Sequence, residues 1–304
     1  MDAHDELNID EILLALRTFK GVYEKEMVEA AIERKVEIIP RLIEILRNLI
    51  DDPIPYLENE ELYDHLYAVM LLGHLRATEA HRTLIDLFSL PEDILDPLFD
   101  DTTTSDLPGI LLWTCGGSLG QIKAMALNRK VNDYCRNSAL QAMTYAVVEG
   151  IVTREAVLAF FGTLFTGDET DAGSDFWGLL ACNVHDLCPE GYLTVIRNAY
   201  DDGLISPQII AYKDFESAII LGKEAMLDRL TINYERFTLI DIHKSMSWWA
   251  CFQDDDDTES PPDLSDRLFD MPSVNRDSAP KKINPKAKKR KRKQVKASKR
   301  KNRR

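Results

Sequence analysis

Three groups of residues combine types and spacings that could do chemistry. The first is Gly116-Gly117-Ser118-Leu119-Gly120, a match to G-x-S-x-G. In a nucleophile elbow a strand-to-helix turn exposes the serine oxygen beside backbone N–H donors, which would make Ser118 the nucleophile of a hydrolase. That chemistry needs a parallel sheet below the turn and a histidine downstream. The downstream histidines, His185 and His243, stand in apolar helical patterns. The flanks favour a structural reading: ILLWTC (110–115) ends a helix, the glycines turn the chain, and Ser118 caps a helix at QIKAMAL (121–127).

The second group is Cys182, His185 and Cys188, spaced C-x2-H-x2-C. Thiolate and imidazole at this density suit zinc. On one helix, however, the three side chains fan over ~120°, and a closed zinc site wants four ligands. Only Asp186 or a remote histidine offers a fourth. Buried free cysteine fills cores as a small apolar residue. The expectation is therefore no metal and no cofactor, with zinc at these three residues as the alternative. His65, His74 and His81 are expected to be surface or packing residues. No P-loop and no G-x-G-x-x-G is present, so nucleotide binding has no support.

The third group is the C-terminal run KAKKRKRKQVKASKRKNRR (286–304). Lys288, Lys289, Arg290, Lys291, Arg292, Lys293, Lys296, Lys299, Arg300, Lys301, Arg303 and Arg304 supply dense positive charge without an aromatic residue. Such a tail can neutralise phosphates and release counterions, but it has no rings on which bases could stack. RNA, the ribosome or another polyanion is the expected partner, and docking on the chain's own acidic part is the competing reading.

The charge along the chain is segregated. The 304 residues carry 37 Lys+Arg against 51 Asp+Glu, a formal charge of −14. Residues 281–304 hold 15 basic residues and no acid (+15), residues 254–280 hold nine acids and two arginines (−7), and residues 1–253 hold 42 acids and 20 bases (−22). This predicts a body (1–253), an acidic disordered linker (254–280) that opens with Asp254-Asp255-Asp256-Asp257, and a basic disordered tail (281–304). Within the linker, Leu264, Leu268, Phe269 and Met271 form a short apolar stripe, read mainly as solvated and alternatively as a docking element. Five cysteines scattered between 115 and 251 fit reduced thiols. The acidic N-terminus does not resemble a secretory signal and no apolar run approaches the ~18 residues of a membrane span, so a cytoplasmic protein is expected.

What must position these groups is helix after helix. Asn8 and Glu11 have capping-box spacing, and Ile9, Ile12, Leu13 and Leu16 share one helix face; Gly21 is read as the C′ residue. A helix over 23–34 and another ending at Asp52-Pro53 follow. Residues 61–89 combine a stripe (Leu62, Leu66, Val69, Leu72, Leu75) with a second helix capped by Thr78 and bearing Leu84, Ile85 and Phe88. Small residues (Ala68, Gly73, Ala77, Ala80) stand where backbones must approach. The layout recurs at 132–165, where Tyr134, Ala139, Leu140, Met143 and Val147 lie on one helix, Gly150 ends it and Thr153 caps the next. A looser copy covers 175–201. Strand alternation is absent. Stacked pairs of this kind predict an all-α, HEAT-like helical-repeat solenoid. Trp248-Trp249, Cys251 and Phe252 then read as a seal on the last pair, with a binding platform as the alternative.

Residues 90–111, the pair at 132–165, DGLISPQIIAYKDFESAIILGKEAMLDRL (202–230) and IDIHKSMSWWACF (240–252) resemble the bacterial family catalogued as domain of unknown function 1186. The resemblance covers 1–252. It implies a bacterial, cytoplasmic, α-helical repeat protein and supplies no catalytic residues. Some relatives end in a cysteine-rich zinc motif; this chain has no cysteine after Cys251 and ends in lysines and arginines instead. The expected function is a non-enzymatic binding or scaffold protein that holds a protein or peptide on the solenoid face.

Overall fold

The computed structural model describes residues 8–252, except 100, 101, 238 and 248. The chain divides between Gln253 and Asp254. The predicted linker and the tail lysines and arginines therefore lie outside the described residues.

Helix α1 (Ile9–Arg17) starts with the predicted capping box. Asn8 Oδ1 accepts from Glu11 N–H at 3.0 Å and the Glu11 carboxylate accepts from Asn8 N–H at 2.9 Å. Its end differs from expectation. Thr18 is extended and forms an isolated antiparallel bridge with Leu62, while Phe19 N–H donates to Glu61 O and Tyr63 N–H to Arg17 O. These backbone bonds draw the chain out of the helix before Gly21, which lies in the following loop. α2 (Lys25–Glu33) and α3 (Lys35–Asp51) follow, and Asp52 is the extended cap that stops α3. α4 (Ile54–Glu58) leads to α5 (Asp64–His74), a 3-10 turn (Thr78–Ala80) and α6 (His81–Leu87). Thr78 begins that turn and makes no capping bond, contrary to its predicted role.

The rest of the body is helical too: α7 (Glu92–Phe99), α8 (Thr102–Ser105), α9 (Leu107–Thr114), α10 (Gly120–Leu127), α11 (Asp133–Val148), α12 (Arg154–Gly162), α13 (Phe176–Asp186), α14 (Leu193–Asp201), α15 (Tyr212–Leu221), α16 (Lys223–Phe237), α17 (Ile242–Met246) and a 3-10 turn (Ala250–Phe252). No strand occurs among the described residues. Helices α3, α5, α9, α11, α13 and α15 pack each on the next, and α6, α10, α12 and α14 pack beside members of that row. The order is compatible with a repeat solenoid. Two pairs lie outside the three predicted copies: α9/α10, whose helix–turn–helix the sequence predicts around the 116–117 glycines, and α15/α16, which it does not predict.

Two helices of that row, α5 and α9, are not amphipathic. Every residue of α9 is buried, as is every residue of α5 from Tyr67 to Gly73. A helix apolar on all sides is covered on all sides. In the opposite direction, Tyr134 is 45% exposed and does not share the buried stripe of Ala139, Leu140 and Met143. Covering comes from the end of the chain: α16 packs on α15, α13 and α11, and α17 reaches α5. Trp249 and Phe252 therefore do not seal the last pair. They stack on each other, ring centroids 6.0 Å apart, and Phe252 lies against Phe19, Tyr23, Tyr63 and Tyr67 near the beginning of the chain. Trp248 lies outside the described residues.

Five helices end alike, with a left-handed residue just beyond the cap: Arg76 after α5, Gly116 after α9, Gly150 after α11, Cys188 after α13 and Gly203 after α14. The bonds Ala77 N–H to Leu72 O and Ile151 N–H to Ala146 O close the turns at 76 and 150. Glycine takes this conformation without a Cβ penalty. Arg76 is held there with its guanidinium 4.3 Å from the centre of the Trp113 ring, and Cys188 with its side chain fully buried.

Candidate functional site

Ser118 is exposed, on a helix–turn–helix. α9 ends in Cys115, Gly116 and Gly117 are both left-handed, and Ser118 N–H donates to Cys115 O at 3.0 Å. The strand that an elbow requires is replaced by a helix. The capping role also fails: Leu119 is the N-cap of α10, with no side-chain bond. Each described histidine directs a ring nitrogen to a group other than Ser118: His65 to Leu98 O, His74 to Leu239 O, His81 to Thr114, His185 to Asp186 and His243 to Tyr23 and Glu29. An exposed serine without a capping bond is expected to be energetically neutral, so Ser118→Ala should shift stability by less than about 0.5 kcal/mol. A urea-unfolding midpoint checks this, and a loss near 1 kcal/mol would restore the capping role.

Cys182, His185 and Cys188 diverge. Cys182 packs against the main core, and burial, reinforced by the Asp186 and Asp214 carboxylates, pushes its thiol up to about 12. His185 Nδ1 faces the Asp186 carboxylate at 3.1 Å, and its ring meets Phe215 edge-on. Cys188 sits with Ala218 and Met226 in a separate apolar cluster, its thiol toward Ala218 O at 3.8 Å. Metal and nucleophile chemistry use the thiolate, which burial disfavours at both cysteines. Among the described residues no group of three or more His, Cys, Asp or Glu is placed to hold a metal ion. His65 and His81 are packing residues, both buried; His74 is part-buried.

What the structure does bring together is a set of polar ties. His65 Nε2 donates to Leu98 O, His81 Nδ1 to Thr114 Oγ1, Arg136 Nη2 to Glu169 O and Arg154 Nε to Leu187 O, each 33 residues along the chain. Arg154 Nη2 also donates to Cys188 O. Each tie reaches the next stretch of chain, and a buried carbonyl left without a donor would cost about 1–3 kcal/mol. The common spacing is the clearest trace of repetition, and it is invisible in the sequence because the chemistry differs each time.

A second polar set lines the face covered by α16 and residues 239–252. Trp113 Nε1 donates to Tyr234 OH at 3.0 Å and Tyr234 OH donates to Glu149. Burial, then the Glu149 carboxylate, pushes the Tyr234 phenol up to about 12, so it remains a donor at neutral pH. His74 Nδ1 donates to Leu239 O at 2.8 Å. Tyr23 OH donates to His243 Nδ1 at 2.8 Å, and His243 Nε2–H to Glu29 at 2.7 Å. His243 is thus a polar link between distant parts of the chain rather than a member of an apolar face. The only sequence signal for this set is the aromatic density at 248–252.

The fold and these ties define an all-α protein of stacked helix pairs closed by its own C-terminal helices. The family model described as "Protein of unknown function (DUF1186)" matches residues 7–253, and the chain belongs to that family. Two similar proteins, each described as "Uncharacterized protein", come from Chlamydia muridarum (strain MoPn / Nigg) and Chlamydia trachomatis serovar D. Both are 30% identical to this chain over 213 residues, which is 70% of this chain and 85% and 84% of theirs. No solved structure matches. Among the described residues no helix is long and apolar enough to cross a membrane.

Proposed function

We propose that the chain is a non-enzymatic binding protein of the bacterial cytoplasm. Its helical body holds a protein or peptide, and residues 281–304 attach the complex to RNA, the ribosome or another polyanion. The observation that carries this reading is a charge reversal that lies wholly outside the family match. The match stops at residue 253, an acidic stretch (−7) follows over 254–280, and residues 281–304 then carry +15. A basic segment added outside a helical domain supplies phosphate affinity without sequence preference.

The test is an electrophoretic mobility shift with single-stranded RNA, using the full chain and a 1–280 truncation across a salt series. The full chain should bind with a logarithmic salt slope of about −0.7 per neutralised phosphate, so six contacts would weaken it about 300-fold between 50 and 200 mM salt. The truncation should not shift the RNA. Equal binding by both would remove the tail from the account.

A further inference from the structure

The described chain ends by doubling back. Beyond α16, residues 239–252 leave the last helix pair and cross to the first helices. Leu239 is fully buried over Gly73 of α5, where a Cβ would lie 2.8 Å from Leu239 Cδ1. Its carbonyl accepts from His74 Nδ1. His243 is gripped at both ring nitrogens, by Tyr23 OH and by the half-exposed Glu29 carboxylate. Phe252 closes the segment among Phe19, Tyr23, Tyr63 and Tyr67, with ring centroids between 5.7 and 6.5 Å away.

The seat and the segment differ in how they are built. Gly73, His74 and Tyr67 belong to α5, which is packed between α3 and α9, and Glu29 belongs to α2. These elements have partners of their own. The segment has little internal structure: α17 has five residues and the turn after it three. Helices so short do not persist alone in water, so the seat imposes the segment's shape. Separate side-chain anchors, Leu239, His243 and Phe252, seated in a preformed surface are the pattern of a docked peptide.

We propose that this seat is a peptide-binding surface that residues 239–252 occupy in cis. Its external partner is a protein segment of the same chemistry: an aliphatic residue for the Gly73 slot, a basic side chain for Glu29 and an aromatic ring for the Phe19–Tyr63 cluster. The inference rests on reading the body as a binding module and names its surface. A basic partner also suits a body carrying −22, which would steer it inward.

The probe is a fluorescently labelled peptide of residues 239–252, titrated against the full chain by anisotropy. In the wild type the tethered segment competes at an effective concentration in the millimolar range, so the peptide should bind weakly. Full-length His243→Ala/Phe252→Ala, with two anchors gone, should bind it at least about tenfold more tightly, and adding Glu29→Gln should reduce that gain. A double variant that melts as cooperatively as wild type yet binds no better, or binds a scrambled peptide equally well, overturns the proposal. Should the double variant not fold, hydrogen exchange of the wild type decides. Excess peptide should speed exchange at amides 239–252 while α5 stays protected, and unchanged exchange overturns it. The RNA mobility shift reads the tail alone, so failure of the seat and failure of the attachment reading are separable.

Discussion

Replacing Arg136 by methionine is expected to destabilise the body by about 4 kcal/mol, the range for breaking a buried charged network. The side chain is 1% exposed. Its Nε donates to Ala126 O at 2.9 Å, Nη2 to Glu169 O at 2.9 Å and Nη1 to Asp133 at 3.1 Å, and the guanidinium lies 3.8 Å from the centre of the Phe176 ring. One residue thus joins α11 to the end of α10, to the loop before α13 and to α13 itself. Methionine fills much of the volume but orphans two carbonyls, each costing about 1–3 kcal/mol, and removes a desolvated cation–π contact worth about 2 kcal/mol. Relief of the guanidinium's own desolvation offsets part of this. Burial pulls its pKa down and Asp133 pulls it up, yet an arginine stays charged throughout.

Urea unfolding should show a lowered midpoint with an unchanged slope, because the same surface is exposed. Arg136→Lys should be almost as damaging, since a compact ammonium cannot reproduce a planar fork aimed at three acceptors while lying on a ring. A methionine variant within about 1 kcal/mol of wild type would show that desolvation cancels the bonds, and the ties would then specify register without adding stability.

Legibility followed the range of the interactions. The capping box at Asn8 and Glu11 and the cap at Thr153, which accepts from Ala156 N–H at 3.3 Å, are contacts three residues apart, and both were readable in order. So was the small-residue pattern: Ala68 and Ala80 are wholly buried, and a Cβ on Gly73 would stand 2.7 Å from Ile110. Gly21 misled because a backbone bridge to Leu62, 44 positions away along the numbering, ends α1 earlier than local propensity would. Helix α9 was half hidden: with no polar face it has no period, and its glycine turn imitates a catalytic motif. The closure by His243 was unreadable, since its partners Tyr23 and Glu29 are 220 and 214 residues distant. A stripe shows which face is buried but not what buries it.

Acid should destabilise the body through His65, and that residue's share is expected to be about 3 kcal/mol between pH 7 and pH 4. His65 is 3% exposed at the start of α5, ringed by Tyr56, Tyr63 and Phe99. Its Nε2–H donates to Leu98 O, which fixes the neutral tautomer and leaves Nδ1 without a partner. Burial lowers its pKa from 6.5 to about 4, the bond to Leu98 O opposing. Above about pH 6.5 the imidazole is neutral in both states and contributes no pH dependence. Between 6.5 and 4 the unfolded chain binds a proton that the folded chain refuses, so stability falls as pH falls, and below about 4 the loss is complete. His81, also lowered by burial, acts in the same direction. Asp106, raised by burial to about 7, and Asp64, raised by burial, act oppositely: their folded forms take up protons first, so acid relieves them. The whole-protein profile mixes these signs, and the difference between two proteins is the clean readout. His65→Gln keeps an N–H for Leu98 O and does not titrate. It should cost about 1 kcal/mol at pH 7.5 and become the more stable protein by pH 4.5. Urea midpoints at unit pH intervals follow the difference. A constant offset between wild type and variant across that window would mean that His65 is protonated as readily in the fold as out of it, and that its aromatic enclosure admits charge.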